Sequence, residues 1–248
     1  MNKYHIGIVG YGDFTKVMLE CLSPYADIVV SSRSKETGDA GFGVSFASLQ
    51  EVLAQPIIIP SIPSQFFEDF FTKNRTLINS NAVVIDVCSV KVKPLQVLKE
   101  LLPSTCQIIG THPLFGPASV AENGGIEGLP CAFSPVRAED EVINELRSFL
   151  ADTLKLKILE RTPEEHDREM AHVMGLSHYI GRVMQMMDIP ESELATLAYK
   201  DLLDMKRVQG EDSWDLFKSI MEENPFAHEV NQKFKQAEKE LDEKLLGV

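Results

Sequence analysis

Residues 111–117 read Thr-His-Pro-Leu-Phe-Gly-Pro and directly follow the apolar run Gln107-Ile-Ile-Gly110. The proline after His112 holds that histidine in extended backbone, so the imidazole is expected at the carboxyl end of a strand. A neutral imidazole is a suitable proton acceptor near pH 7. Near the amino end, Ile6-Gly-Ile-Val-Gly-Tyr-Gly12 has the glycine spacing of a dinucleotide cradle. Gly10 would permit the tight turn. Gly12 would let backbone amides approach a pyrophosphate at the start of a helix, where the dipole favours anions. A nucleotide cradle and a positioned imidazole in one sheet imply a dehydrogenase with a histidine base.

Gly10, Gly12, Phe14 and Thr15 make up the expected phosphate loop. Thr15 stands where the fingerprint has its third glycine. Its bulk would push helix and strand slightly apart, and its hydroxyl could donate to a phosphate. Asp13 places a negative charge where an anion should bind. About 20 residues on, an NAD enzyme carries Asp or Glu for the ribose hydroxyls. Here the second strand runs into Ser31-Ser32-Arg33-Ser34, and Glu36 is the first carboxylate. Hydroxyls and a guanidinium suit a 2′-phosphate that a carboxylate would repel. Ser31, Ser32 and Arg33 therefore point to NADP over NAD; the plainer alternative is a solvated polar loop.

These residues need a frame. Continuous apolar runs at 4–9, 28–30, 56–60, 82–87 and 107–111 read as strands. Between them lie helix-period stretches: Phe14, Val17, Met18, Cys21 and Leu22 mark one helical face, and others fall near 49–54, 65–73 and 95–102. Such alternation implies an α/β fold of the Rossmann type, a doubly wound and mostly parallel sheet covered on both faces. Residues 132–136, 139–151 and 154–159 extend it as strand, helix and strand. Phe66, Phe67, Phe70 and Phe71 fit one helical face packed on the sheet. Beyond Arg161 nearly everything reads as helix, beginning with one long helix over 163–187. The expected domains are 1–161, binding the dinucleotide, and 162–248, smaller and all-helical.

Composition narrows the partners. Lys plus Arg number 24 against 37 Asp plus Glu, a net charge of −13, which argues against nucleic acid. No apolar run approaches the ~20 residues of a membrane helix. Met1-Asn2-Lys3 leads into a strand with no signal-peptide pattern, so a cytoplasmic protein is expected. Cys21, Cys88, Cys106 and Cys131 lack metal-ligand spacing and read as reduced thiols, and no metal site is expected. Met170, Met174, Met184, Met186 and Met187 supply apolar positions in the helical part. They fit a core or a homodimer interface through the C-terminal helices.

Two more segments accompany His112: Asp86-Val-Cys-Ser89-Val-Lys91, and His166-Asp167 with Ser177-His178 beyond it. With these the chain resembles the prephenate/arogenate dehydrogenases of tyrosine biosynthesis, from the Gly10 loop to Leu216-Phe-Lys-Ser-Ile-Met-Glu-Glu-Asn-Pro225. The resemblance implies oxidative decarboxylation of a cyclohexadienol, with His112 as proton acceptor and Ser89 bonded to the same hydroxyl or to the imidazole. It implies that His178 approaches the substrate from the helical domain and that Arg207 holds the ring carboxylate, with Lys206 the alternative. His166 would orient the interdomain contact, and His172 has no role. Two departures stand out. Ala118 replaces a glutamate common in the family. In the following loop, Glu122 would favour arogenate over prephenate, although Asn123 could equally align there.

Two other readings compete. One is a hydroxyacid or 6-phosphogluconate type of dehydrogenase, against which residues 163–187 contain no lysine. The other is a non-catalytic nucleotide-binding regulator, supported by Thr15, Asp13 and Ala118.

Overall fold

The structure, a computed structural model, describes residues 4–35 and 37–247. Met1-Asn2-Lys3 and Glu36, on which the leader and ribose readings drew, lie outside them. The chain forms two compact units, Met1–Pro163 and Glu164–Val248.

The first unit is built on a nine-stranded sheet. Its strands are β1 (Tyr4–Val9), β2 (Ala26–Ser31), β3 (Asp39–Gly41), β4 (Val44–Phe46), β5 (Ile57–Pro60), β6 (Val83–Asp86), β7 (Gln107–Pro113), β8 (Pro130–Arg137) and β9 (Lys157–Glu160). They lie in the order β3-β4-β2-β1-β5-β6-β7-β8-β9. Helices α1 (Asp13–Leu22), α2 (Leu49–Leu53), α3 (Phe67–Asn74), α4 (Val92–Leu101), α5 (Pro117–Asn123) and α6 (Asp140–Ser148) connect them. From β1 the chain first winds towards β2 and later returns to β5 on the other side. The switch point therefore falls between β1 and β5, where ligands bind in such sheets.

Two parts of the sheet depart from the parallel expectation. β3 and β4 form a short antiparallel pair, and β7 pairs antiparallel with β8. The connection from β7 to β8 holds only the short α5, so the chain does not cross back over the sheet before pairing. Helices α2, α3 and α4 cover one face. Their Val52, Leu53, Phe67, Phe71, Leu95 and Leu98 pack with Ile58, Val84 and Ile108. Fully burying one such leucine contributes roughly 1.5–3 kcal/mol. Phe66 does not join them. It ends a 3₁₀ turn at Ser64–Phe66 and is largely exposed, because that tight turn is out of phase with the helix that follows.

The second unit comprises α7 (Pro163–Met170), α8 (Ser177–Met186), α9 (Leu197–Glu211), α10 (Trp214–Lys218) and α11 (Ala227–Leu246). The expected single helix over 163–187 is interrupted. Residues Ala171–Leu176 form a π-helical stretch between α7 and α8. Ser177 Oγ donates to Val173 O at 2.6 Å, and such side-chain competition for a helix carbonyl bends and widens a helix locally. The methionine stripe divides. Met170 and Met184 are core, whereas Met186 and Met187 are exposed.

Candidate active site

The glycine loop leaves β1 at its carboxyl end. Gly10 has φ +105°, and a Cβ there would lie 2.2 Å from Ser61 O, on the loop after β5. Only glycine suits both the conformation and the approach. Gly10 N donates to Ser31 O at 2.9 Å, so the turn is tied to the end of β2 as well. Gly12 precedes α1, and no side chain caps the first amides of that helix. A Cβ on Gly12 would meet nothing within 4 Å. Open space above uncapped amides fits a phosphate.

Thr15 faces the other way. It is wholly buried, and its Oγ1 lies 3.2 Å from Gly10 O and 2.9 Å from Ser61 Oγ. The hydroxyl is engaged inside the turn and is not offered to a phosphate. Nor does Thr15 spoil the loop, since it links the strand ends that flank the switch point. Asp13 is neutralised locally by Lys16, whose Nζ is 2.7 Å away. Phe14 is half-buried on the opposite side of the loop, 6.3 Å ring to ring from Phe115.

At the end of β2, Ser31 is buried, Ser32 half-buried, and Arg33 and Ser34 exposed. Ser32 Oγ and Ser34 Oγ are 3.1 Å apart. Lys35 sits 5.4 Å above the Tyr11 ring and 5.7 Å from that of Phe46. Cation–π attraction of this kind holds an ammonium in place. Arg33 and Lys35 thus place two cations just beyond the end of β2, on a chain of net charge −13. Sequence reading missed Lys35, because Phe46 and Tyr11 are distant from each other in the chain.

The histidine lies two strands from β5. His112 is 5% exposed, near the end of β7 and opposite Ala132 of β8. β6 pairs with β7 so that Asp86 faces Gly110. Ser89 follows Asp86 by three residues and His112 follows Gly110 by two, so both belong to one carboxyl edge. A buried ion pair builds the turn that carries Ser89. Lys91 Nζ meets Asp86 Oδ2, and both side chains are fully buried. Cys88 N donates to Asp86 Oδ1 at 3.1 Å, and Thr111 Oγ1 donates to Asp86 O at 2.8 Å. The absence of a side chain at Gly110 makes room, since a Cβ there would lie 2.7 Å from Leu95 and 3.3 Å from the Lys91 stem. Asp86 and Lys91 are visible in the sequence, but nothing in it reveals that they are paired and dry. Beside them, burial pushes the Cys131 thiol up to about 12, so it is not a nucleophile at neutral pH.

On α5 and the loop beyond it, Ala118 and Glu122 are exposed. Asn123 has a structural task. Its Nδ2 donates to Gly125 O at 2.9 Å and Glu127 O at 3.0 Å, whereas the exposed Glu122 precedes that turn.

In the helical unit His178 is 4% exposed. Its Nδ1 lies 3.4 Å from Asp212 Oδ2 but makes no hydrogen bond. The carboxylate would favour a charged ring, yet burial, helped by the Arg182 charge, lowers the pKa to about 4. Desolvation prevails because the contact is too long and poorly aligned to compensate it. Arg207 is exposed, with Asp204 at 3.3 Å. Lys206 is tied to Asp188 Oδ1 at 3.2 Å and Ile189 O at 2.8 Å, so Arg207 is the more accessible of the two cations. His166 Nδ1 is 2.8 Å from Asp167 Oδ1, and Asn224 Nδ2 donates to Asp167 O at 2.8 Å. These buried groups link α7 to the segment before α11. His172 is exposed.

A sheet with a switch-point crevice, a positive-φ glycine turn and uncapped helix amides defines a Rossmann-type nucleotide-binding domain, here followed by a helical unit. The family model described as "Prephenate dehydrogenase, nucleotide-binding domain" matches residues 24–158, more than half of the chain, and the protein belongs to that family. A second model, "TYRAAT1-like, C-terminal domain", matches residues 183–248. Arogenate dehydrogenase 1, chloroplastic, of Arabidopsis thaliana is 29% identical over 98% of this chain and 40% of its own length. Arogenate dehydrogenase 2, chloroplastic, of the same plant is 27% identical over 98% of this chain and 70% of its own. The chain therefore spans less than half of the first of these relatives. Among solved structures, Synechocystis arogenate dehydrogenase superposes with a TM-score of 0.71 at 21% identity, covering 98% of this chain and 92% of that one. Prephenate dehydrogenase from A. aeolicus, in complex with hydroxyphenyl propionate and NAD+, gives 0.70 at 17%, covering 99% and 92%. At these identities the superpositions establish the fold.

Proposed function

We propose that the protein catalyses NADP-linked oxidative decarboxylation of arogenate, prephenate or both, yielding tyrosine or 4-hydroxyphenylpyruvate. The observation that carries this reading is the carboxyl edge shared by His112 and Ser89, on the same sheet edge as the switch point and held by the buried Asp86–Lys91 pair. His112 accepts the proton of the ring hydroxyl while hydride leaves the same carbon; a bound nicotinamide supplies the hydride acceptor. The bond to the ring carboxylate then breaks, carbon dioxide departs, and its electron pair completes the aromatic ring. The proton held by His112 returns to the phenolate oxygen, so the histidine ends as it began. Ser89 donates to the hydroxyl or the imidazole and limits their freedom. His178 and Arg207 are the proposed substrate ligands of the helical unit, with Arg207 suited to a carboxylate. Glu122 is proposed to attract the ammonium of arogenate.

The preference for NADP rests on Arg33 and Lys35, with no carboxylate among residues 31–35. The regulator reading loses two of its supports, because Thr15 and Asp13 have partners within the loop. Met186, Met187 and Leu197 leave an exposed apolar surface on the helical unit, which we propose a second copy covers to form a homodimer. Four free cysteines suit a reducing compartment, and we propose a cytoplasmic location. Among the described residues no helix is long and apolar enough to cross a membrane.

His112→Asn tests the assignment. Turnover of arogenate and prephenate should fall by about 10²–10⁴-fold, the usual contribution of a general base, with NADP affinity nearly unchanged. A variant retaining a tenth of wild-type turnover would remove His112 from the role of base.

A further inference from the structure

The nine-stranded sheet is not equally covered on its two faces. Three helices, α2 to α4, pack on one face over the central strands. On the other, α1 packs on β1 and β2, while α6 and the turn after it reach the start of β1 through Glu145 and Phe149 at Tyr4. The exposure of alternate residues records the difference. Ile58 and Val84 point to the covered face and are fully buried; of the residues that point the other way, Ile57, Val83 and Ile85 are half-buried and Ile59 is buried. Strands at the centre of such a sheet are ordinarily buried on both faces.

Between the two helices lies a chamber of about 410 Å³. Its floor is β5 to β7, and its walls are Val17 and Cys21 of α1 and Leu146 and Leu150 of α6 and the turn after it. The volume is in the lower part of the ~300–1,000 Å³ range of small-molecule sites. Apolar surface of this extent facing water is unfavourable, and an apolar occupant would remove it from water.

The lining also states what charge it will take. Among the described residues, no lysine, arginine or histidine borders the chamber. Its one carboxylic acid among the described residues is Glu145, which accepts a hydrogen bond from the Tyr4 hydroxyl at 2.9 Å. The Thr111 hydroxyl is committed to Asp86 O. An anion would enter without a counter-charge and beside a carboxylate, which is unfavourable. Nucleotides and the carboxylate substrates proposed above are excluded on that ground. Phe14, Val87 and Phe115 also line the chamber. These residues lie close in sequence to Gly12, Ser89 and His112, so an occupant touches the backs of the loops that carry the proposed site.

We propose that this chamber is a second ligand site, separate from the nucleotide site, for a neutral and largely apolar small molecule with at most one hydrogen-bond donor, directed to Tyr4 and Glu145. It follows from the coverage of the sheet alone, so it stands or falls independently of the dehydrogenase reading.

The test uses the full chain and N-phenyl-1-naphthylamine, a neutral aryl amine whose fluorescence rises in apolar surroundings. Saturable binding of one probe per chain is expected, unchanged by saturating NADP. Ile126→Trp, which fills the chamber from a loop, should weaken binding at least tenfold. On the wild-type chain, bound probe should slow N-ethylmaleimide alkylation of Cys21 severalfold, as read by peptide mass, and leave Cys88 unaffected. Displacement of the probe by NADP would overturn the proposal. So would an absence of saturable binding, or an unchanged Cys21 rate with probe bound.

Discussion

Lys91→Met tests whether the buried pair holds the turn that carries Ser89. Methionine keeps most of the stem and deletes the ammonium. The Asp86 carboxylate, fully buried, would lose its charge partner and keep the Cys88 amide at 3.1 Å. Breaking a buried pair from one side costs about 3–5 kcal/mol. At about 2–4 °C per kcal/mol for a domain of this size, the melting temperature of the sheet unit should fall by roughly 6–20 °C. Asp86→Asn alone should cost about as much, since it strands the ammonium. The double variant Asp86→Asn/Lys91→Met removes both charges and keeps an acceptor for the Cys88 amide. It should therefore return to within about 2 kcal/mol of wild type. Calorimetry records the transitions of both units, and the single tryptophan, Trp214, follows the helical unit, so the transition that Trp214 does not follow is that of the sheet unit. The reasoning is refuted if the single variant loses less than about 1 kcal/mol, or if the two losses simply add.

Two further outcomes are expected. Arg33→Ala should weaken NADP by about tenfold or more, as loss of a charge-assisted phosphate contact does, and leave NAD little changed; equal losses for the two cofactors in a titration would sink the NADP assignment. His178, with its pKa lowered to about 4, should stay neutral in the folded chain where an unfolded histidine titrates near 6.5. The unfolded state then binds more protons between those values, so stability is full above about pH 6.5 and falls towards pH 4, by up to roughly 3 kcal/mol. A ring-proton NMR titration with its midpoint near 6.5 would contradict this.

Residues that act through local backbone were legible in the sequence. Proline after His112, glycine at 10 and 12, and the apolar period of strands and helices act over a few positions, so a linear reading captures them. The Rossmann-type fold and the carboxyl-edge location of His112 follow from such signals. What depends on contacts between distant segments was not legible. Thr15 suggested a phosphate ligand until Ser61, 46 residues on, engaged its hydroxyl. In the chain Lys91 is one lysine among many, and its burial against Asp86 exists only in the fold. The direction of β8, the π-helical stretch before Ser177 and the depressed basicity of His178 likewise depend on neighbours that periodicity cannot name. Which chemistry-bearing residues exist, and which strand end carries His112 and Ser89, can be read along the chain. Which of them are dry, which are paired and which face of the sheet is left open depends on packing, because burial and close contact arise only between segments brought together in the fold.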